Sequence, residues 1–557
     1  MYTKGIIGLG LLSMAHGAFA LPNQDSIHII IKYKQQIKNT TTLKSQITQF
    51  AQLPVKELKP MANGAYSLIL EAPANIAEEK TDPTQLALER LRKNPAVLYA
   101  VKDRIGHFTP VPDPKTSYNL VDLLTHESQW DEFERPAGVM LESKPGSRDG
   151  AWAYTTGLAK KPIVVAVLDT GITLNESLIN NLVKDSEGKI WGWNFAANNN
   201  NLNDETKSFH GTHVAGTIAG YGHVMSGMGE DLKILPLKIP AASGMFYESS
   251  VVNAIYWSVG GEVPGIPNNI HPAKVLNMSF GVDRGPKDEI DFCDQALQEA
   301  VFFARNQGAV LIAAAGNDNR WEHYNAPAAC NGVVKVASTG PEGLRSYFSN
   351  YGPGITLSAP GGDKRYGLWG GILSTVNPGG GYNGSGFDYY QGTSMATPHV
   401  AGVAGLIFSA SDKVLSPEQI EQILFTTTHG FGVSADPNKS CVGKKPCGHG
   451  ILDAENAVKA AIASYDVLFT SPKLQQLVAQ DCSTGLAAGA KRIQAGNAIW
   501  IQVQGGCEPA INYQKPQLAQ HKDGSIIASY GSVSYRLDQS AYKSCQIVGY
   551  DGIGCYL

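Results

Sequence analysis

The chain has 557 residues, of which 43% are hydrophobic and 17% are charged, and its formal net charge at pH 7 is -4. This composition excludes an intrinsically disordered chain. The small net charge gives no reason to expect nucleic acid or an anionic membrane as a partner. The length suits about two to four domains, each with its own hydrophobic core.

The N-terminus has the pattern of a secretory signal peptide. Lys4 precedes an apolar stretch from Gly5 to Ala15, and the small-residue signature Ala18-Phe19-Ala20 follows. A membrane anchor is the alternative, but the apolar stretch is shorter than a bilayer-spanning helix requires. We therefore predict that residues 1–20 are a signal peptide, that the protein is secreted, and that no membrane span remains after signal removal.

The chain contains eight cysteines. An even number in an exported protein indicates disulfide bonds, and the spacing fits neither a zinc ribbon nor a CxxC redox motif. Eight cysteines allow about 105 sets of pairs, so their number leaves the connectivity open. Proximity along the chain favours Cys293–Cys330, Cys441–Cys447, Cys482–Cys507 and Cys545–Cys555.

Residues 25–103 follow the order strand, helix, strand, strand, helix, strand, which is typical of a small ferredoxin-like α+β unit. Three prolines within residues 109–119 then predict an exposed linker, the kind of segment in which proteolytic cleavage concentrates. The clearest elements of this region are strands at 27–33, 65–70 and 97–103 and a helix at 83–94.

Residues 120–465 alternate continuously apolar strands with helical segments, which predicts a doubly wound α/β domain on a mostly parallel sheet. In such domains functional residues lie beyond the carboxyl ends of the strands. Three predicted strands end on groups suited to chemistry, namely Asp169, Ser279 and Asn317. The predicted strands are 162–169, 233–239, 274–280 and 308–317, and the predicted helices include 249–259 and 294–307.

The last part of the chain differs from the rest in its cysteine content and in the pattern of its apolar residues. Four cysteines and short runs with β-like alternation predict a small disulfide-linked β extension over residues 466–557. No chemical motif occurs in it. We interpret it as a stabilising or removable extension.

The stretch HGTHVAGT, residues 210–217, places two histidines three residues apart at the start of a small-residue helix. Such a pair is compatible with a metal site, with a catalytic base beside a structural neighbour, or with a polar helix start. No HExxH motif or third ligand accompanies it, which disfavours zinc. Helical spacing puts His210 on one stripe with Val214 and Ile218 and His213 on another, so we expect His210 to face the strand ends.

Four stretches of the second region together resemble the subtilisin-like serine proteases, over roughly residues 150–460. They are VAVLDTGIT around Asp169, HGTHVAG from His210, AAAGNDN around Asn317 and QGTSMATPHVAG around Ser394. The resemblance implies that Ser394 is the nucleophile, His210 its general base, and Asp169 the group that orients the histidine. It also implies that Asn317 and the backbone N–H of Ser394 stabilise the oxyanion.

The resemblance further implies a cleft that binds an extended peptide. One wall would be Ser279-Phe280-Gly281 and the other Ala314, Ala315 and Gly316. Pairing through main-chain hydrogen bonds predicts broad substrate tolerance, and the uncharged apolar walls favour a large apolar side chain before the cleaved bond. The alternative interpretation is that these small residues only permit tight packing.

A finer resemblance, to secreted bacterial subtilases, is carried by residues 260–281 and 447–458. It implies that residues 21–119 form an inhibitory prodomain and linker and that residues 120–465 form the peptidase domain. The expected product is a self-processing zymogen. Its expected partners are protein or peptide substrates and its own prodomain, which would act as an intramolecular inhibitor.

The predicted chemistry requires no cofactor. Calcium stabilises many members of the resembled family, so a structural calcium ion is compatible with the resemblance. However, the stretch DTGITLNESL lacks the aspartate that many members place shortly after the catalytic one. Asn175 and Glu176 provide the nearest oxygen ligands, and no metal-binding residues are assigned.

Two other functions are considered beside a secreted endopeptidase. One is a catalytically silent subtilase fold that only binds other molecules; the presence of Asp169, His210, Asn317 and Ser394 weighs against it. The other is an ester-directed serine hydrolase. The chain has no GxSxG nucleophile elbow, which weighs against the α/β-hydrolase form of that activity.

Overall fold

A computed structural model describes residues 26–37, 39–72, 82–108, 111, 129–134, 136–282, 293–321, 326–379, 381–412 and 414–462, and the backbone of seven strands between 490 and 556. The predicted signal peptide and most of the predicted linker lie outside these residues. The chain divides into two units, and the first ends at Lys102. No helix in the described part of the chain is both long and apolar enough to cross a membrane.

The first unit is an α+β sandwich with the predicted order of elements. Its antiparallel sheet has the strand order β2-β3-β1-β4, with both helices packed on one apolar core. This confirms the ferredoxin-like prediction. Asn39 and Asp82 cap the two helices through their side-chain oxygens. The elements are β1 (Ser26–Tyr33), α1 (Thr40–Ala51), β2 (Val55–Pro60), β3 (Ala65–Glu71), α2 (Pro83–Arg92) and β4 (Val97–Lys102).

The second unit is built on a seven-stranded sheet in which every neighbouring pair is parallel. This confirms the doubly wound α/β prediction. Its elements are β5 (Ile105–His107), β6 (Val164–Asp169), β7 (Trp193–Asn194), α3 (His210–Ala219), β8 (Lys233–Lys238), β9 (Met245–Tyr247), α4 (Glu248–Ser258), β10 (Val275–Met278), β11 (Gly281–Val282), α5 (Gln295–Asn306), β12 (Val310–Ala314), β13 (Val333–Thr339), β14 (Leu357–Pro360), β15 (Ile372–Val376), β16 (Gly386–Tyr390), α6 (Thr393–Ala410), α7 (Pro417–Thr426) and α8 (Ala454–Ile462).

The strand order of this sheet, β14-β13-β12-β10-β6-β8-β7, fixes where functional groups can meet. After β6 the chain forms the edge strand β7 and then β8 on one side of β6, and it then crosses to β10 on the other side. The order therefore reverses between β6 and β10, and the carboxyl ends of strands at such a point border a crevice. Asp169 ends β6, while Ser279 and Asn317 follow β10 and β12 at the same edge of the sheet.

A small antiparallel sheet lies beside this edge. In it β5 is the central strand, paired with β9 on one side and with β11 on the other. The register sets His107 opposite Gly281 and Gly106 opposite both Phe246 and Val282. Residues shortly after the first unit thus form a strand between two other segments of the second unit.

The C-terminal part is described as backbone only and consists of antiparallel strands, as predicted. Two sheets are present, with the orders β17-β18-β23-β22 and β19-β20-β21. The strands are β17 (Ala490–Ala495), β18 (Ala498–Val503), β19 (Gln517–Gln520), β20 (Ile526–Tyr530), β21 (Val533–Leu537), β22 (Ser544–Val548) and β23 (Gly552–Tyr556).

Two of the predicted disulfide bonds are present. Cys293 is bonded to Cys330 and Cys441 to Cys447. The register of β22 and β23 places the backbones of Cys545 and Cys555 opposite each other. The proposed pair Cys482–Cys507 lies outside the described residues.

The two bonds should contribute differently to stability. Replacing Cys293 and Cys330 by alanine should lower the free energy of unfolding by about 3–4 kcal/mol, because the bond closes a long loop with a sequence separation of 37. Replacing Cys441 and Cys447, whose separation is 6, should cost about 2 kcal/mol on the same chain-entropy reasoning. Urea unfolding of both double variants measures the difference. Equal losses would contradict the loop-entropy explanation.

Candidate active site

The first element of the site is a hydrogen bond between Asp169 and His210. Asp169 ends β6 with 1% exposure, and His210 is the first residue of α3. His210 Nδ1 lies 2.8 Å from Asp169 Oδ1, which also accepts the backbone N–H of Thr170 at 2.7 Å. This contact assigns the Nδ1 proton to the bond with the carboxylate and turns Nε2 away from it.

A second buried carboxylate supports this pair. The Thr170 hydroxyl donates to Asp204 Oδ2 at 2.5 Å and accepts the backbone N–H of Gly211 at 2.8 Å. Thr170 thus connects the end of β6, a loop carboxylate and the first turn of α3. Sequence reasoning missed Asp204, because a loop aspartate carries no local pattern that indicates where its side chain points.

The two carboxylates govern the charge state of His210. Burial lowers the pKa of its ring, but the charge of Asp169, the hydrogen bond to it and the charge of Asp204 together raise that pKa above its ordinary value. Burial has the opposite effect on a carboxyl group and raises the pKa of Asp204, although its hydrogen bonds from Thr170 and Thr206 oppose the change. His210 is therefore a stronger base than a free imidazole.

Ser394 is the second residue of α6 and is 7% exposed. Its hydroxyl donates to the backbone oxygen of Ser279 at 3.0 Å, and the Ser279 hydroxyl donates to the backbone oxygen of Ser394 at 2.9 Å. The backbone oxygen of Ser394 receives no hydrogen bond from within the helix, because residue 398, four positions later, is proline and has no N–H. The helix that carries Ser394 is thereby fixed to the end of β10.

The amide of Asn317 is oriented by the start of the same helix. Its Oδ1 accepts both the backbone N–H of Thr393, at 2.9 Å, and the Thr393 hydroxyl, at 2.8 Å. Because Oδ1 faces Thr393, the Nδ2 group of Asn317 points the opposite way. It lies close to Gly392, since a Cβ built on that glycine would be 3.5 Å from Nδ2. An amide donor is therefore directed to the N-terminus of α6, where helix N–H groups favour negative charge.

His213 occupies a different environment from His210. It is completely buried, its Nε2 lies 3.1 Å from the backbone oxygen of Ile372, and its ring stacks on Tyr390 with centroids 4.3 Å apart. Burial and the neighbouring His210 lower its pKa to about 3. The expectation that His210 faces the strand ends agrees with its bond to Asp169 at the end of β6, although α3 is buried on all sides from Gly211 to Ala219.

Of the two predicted substrate walls, the first lies beside the central strand β5, because Gly281 is opposite His107; on its other side β5 pairs with β9, which sequence reasoning missed. Phe280 is 3% exposed, and its ring packs edge-on against Phe246, with centroids 5.1 Å apart. Phe108, directly after β5, lies 5.2 Å from the His210 ring and 5.9 Å from the Phe280 ring. The second predicted wall is partly structural, because Ala315 is packed in a core with the Cys441–Cys447 bond.

Asn175, one of the two residues named above as the nearest oxygen ligands for calcium, has hydrogen-bond partners at both atoms of its side-chain amide. Asn175 is buried; its Oδ1 accepts the N–H of Ser177, and its Nδ2 donates to the backbone oxygens of Val376 and Gly386. These contacts hold the turn through hydrogen bonds alone. Among the described residues no group of three or more His, Cys, Asp or Glu side chains could hold a metal ion.

Comparison with known proteins gives consistent matches. The model of the subtilase family matches residues 160–471. The chain is 30% identical over 503 residues to an extracellular basic protease of Dichelobacter nodosus, which covers 81% of this chain and 74% of the relative. It is 33% identical over 433 residues to an extracellular protease of Xanthomonas campestris, covering 74% of this chain and 66% of the relative.

Solved structures agree with these sequence matches. A protease from Pseudoalteromonas arctica matches with a TM-score of 0.52 and 36% identity, covering 60% of this chain and 98% of that structure. The epidermin leader peptide processing serine protease of Staphylococcus aureus matches with a TM-score of 0.53, covering 78% of this chain and 99% of that structure. Its identity of 21% shows a common fold only.

Neutralising Asp204 should lower the pKa of His210. In Asp204→Asn one negative charge is removed from beside the ring, while the amide oxygen can still accept the Thr170 hydroxyl. Titration of the imidazole signals by NMR measures the change. The exposed Asp436 provides a control, since Asp436→Asn should leave the titration of His210 as it was. An unchanged or higher pKa in Asp204→Asn would be evidence against the electrostatic role.

Proposed function

Because this chain belongs to the subtilase family of serine proteases, we propose that Asp169, His210 and Ser394 form its catalytic triad and that Asn317 completes its oxyanion hole. The observation that carries the proposal is the 2.8 Å bond between buried Asp169 and His210 at the edge of the sheet. Ser394 and Asn317 meet at the N-terminus of α6 beside the same edge.

The proposed reaction begins with a change of hydrogen bond at Ser394. Its hydroxyl leaves the backbone oxygen of Ser279 and donates to Nε2 of His210, which takes the proton as the oxygen attacks the peptide carbonyl. Asp169 stabilises the imidazolium that forms. The histidine then gives the proton to the leaving amine, and a water molecule releases the acyl group by the same steps.

The negative charge of the tetrahedral intermediate is placed where α6 begins. The backbone N–H of Ser394 and the Nδ2 group of Asn317 are the two proposed donors. Thr393 holds the amide of Asn317 in the required orientation through two hydrogen bonds to Oδ1. Because these donors are fixed before the substrate arrives, little reorganisation is needed when the charge develops.

Substitutions at the four residues should separate catalysis from folding. Ser394→Ala, His210→Ala and Asp169→Ala should each reduce kcat/KM by several orders of magnitude, and the Ser394→Ala/His210→Ala double variant should be little worse, because the triad acts as a unit. Asn317→Ala should lose about 100- to 1,000-fold. His213→Asn serves as the control and should keep most activity.

Casein hydrolysis and labelling by a serine-directed phosphonate provide the measurements. A protein that reacts with neither would be a binding protein, and one that is labelled but spares casein would be an ester hydrolase. The relatives from Dichelobacter nodosus and Xanthomonas campestris are extracellular proteases, and this favours cleavage of casein. A His213→Asn variant as inactive as Ser394→Ala, with its fold intact, would contradict the assignment of roles.

We further propose that the protein is secreted as a zymogen whose N-terminal region, residues 21–119, is an intramolecular inhibitor. In support, β5 pairs with both β9 and β11, as an extended peptide substrate would. Phe108 then reaches His210, and Val111 lies beside Gly392, since a Cβ on that glycine would be 3.6 Å from Val111 Cγ2. The chain's own segment would therefore occupy the cleft until it is cut.

Self-processing can be tested by N-terminal sequencing. Wild-type protein should lose its N-terminal region through cleavage between about Arg104 and His126, in the proline-containing linker. Ser394→Ala protein produced alone should retain that region, because no active serine is available to cut it. Asn317→Ala, with a slower reaction, should mature late. A Ser394→Ala chain that matures normally in the absence of other proteases would exclude self-processing.

A further inference from the structure

The position of Gly106 in the cleft is restricted by a side chain opposite to it. β5 and β9 are antiparallel, and Gly106 is directly opposite Phe246. Residues directly opposite in an antiparallel pair place their side chains on the same face of the sheet. Any side chain at position 106 would therefore point to the side on which the Phe246 ring lies.

The Phe246 ring already occupies that space. A Cβ built on Gly106 would lie 2.3 Å from two atoms of the ring and 2.9 Å from the backbone oxygen of Gly281. The ring itself is 3% exposed and packs edge-on against Phe280. Moving it aside would open a gap next to Phe280, so that even a methyl group at this position requires repacking of the cleft.

The same ring forms a contact two residues further along. Side chains at i and i+2 of a strand lie on one face, and Phe108 follows Gly106 at this spacing. Its ring lies 5.6 Å from Phe246, 5.9 Å from Phe280 and 5.2 Å from His210. These separations are in the range of favourable aromatic pairs. An aromatic residue here covers the His210 ring and completes a cluster of three phenylalanines.

We propose that Phe246 is a specificity-determining residue of the cleft. It makes the enzyme select peptides in which a glycine is followed, two residues later, by an aromatic residue. The aromatic side chain lies against His210. This inference rests on the proposed peptidase function of the same cleft. It narrows the broad tolerance that main-chain pairing alone predicts. The middle residue, here His107, lies on the other face of the strand and is not selected by Phe246.

Cleavage of a proteome-derived peptide library by the mature wild-type enzyme tests the pattern. Glycine should be enriched about tenfold at one position, with aromatic residues enriched two residues nearer to the cleaved bond. Fluorogenic peptides based on a cleaved sequence should then lose about tenfold in kcat/KM when that glycine becomes alanine, and more when it becomes leucine. Equal cleavage of the glycine, alanine and leucine peptides would overturn the proposal.

Variants assign the effect to the ring. Phe246→Ala should accept alanine and leucine at the glycine position, and Phe246→Leu should be intermediate, because each exchange removes ring atoms that oppose a side chain there. Phe302→Ala, at a phenylalanine that is 47% exposed on α5, is the matched control and should keep the glycine preference. A preference that survives in Phe246→Ala would contradict the assignment.

Casein separates this inference from the proposed function. Wild-type enzyme that cleaves casein without any glycine preference would overturn the specificity alone. Enzyme that cleaves neither casein nor peptides would contradict the proposed function and, with it, the specificity. If Phe246→Ala does not fold, the series of glycine, alanine and leucine peptides with wild-type enzyme still decides the matter.

Discussion

The hydrogen bond between Asp169 and His210 is the contact on which the rest of the site depends. A carboxylate with 1% exposure is costly unless hydrogen bonds satisfy it, and here His210 and the N–H of Thr170 share Oδ1. The bond can form only if α3 begins beside the end of β6. Thr170 enforces this, because its hydroxyl links Asp204 to the first turn of the helix.

Close approach of α3 also explains the small residues that follow His210. A Cβ on Gly211 would lie 2.3 Å from the backbone oxygen of Gly171, and a Cβ on Gly216 would lie 2.3 Å from the hydroxyl of Thr375. Larger residues at either position would push the helix away from β6 or from β15. The position of the His210 ring is thus set by close contacts on two sides of a helix that is buried from Gly211 to Ala219.

A similar dependence connects residues 129–131 to the helix that carries Ser394. His399, on α6, donates from Nε2 to Asp131 Oδ2 over 3.0 Å, and its Nδ1 lies 2.7 Å from the backbone oxygen of Met395. Gln129 makes two bonds to the backbone of Ser226. Both members of the His399–Asp131 pair are buried, so removing one would leave the other unsatisfied. Gln129 and Asp131 are therefore fixed to the second unit through their own side chains.

The amino-acid sequence by itself determined the order of the helices and strands. It also determined that the first unit has an α+β fold, that the second has a mostly parallel sheet, and that three strands end at or near Asp169, Ser279 and Asn317. Hydrophobic periodicity reports local burial, and this is sufficient for strands as uniformly apolar as β6. Only the tertiary structure decided which groups surround them. Asp204 and Thr170 are 34 residues apart and His399 and Asp131 are 268 apart, and no local pattern encodes such contacts.

The same limit applies to the two histidines and to the cleft. Helical spacing predicted that His210 faces the strand ends, but only the folded chain shows what surrounds His213, because α3 is buried on all sides after its first residue. Main-chain pairing in the cleft followed from the resemblance, but the space beside Gly106 depends on where the Phe246 ring packs. Side-chain packing across strands distant in sequence is a property of the folded chain, and the sequence pattern of either strand does not contain it.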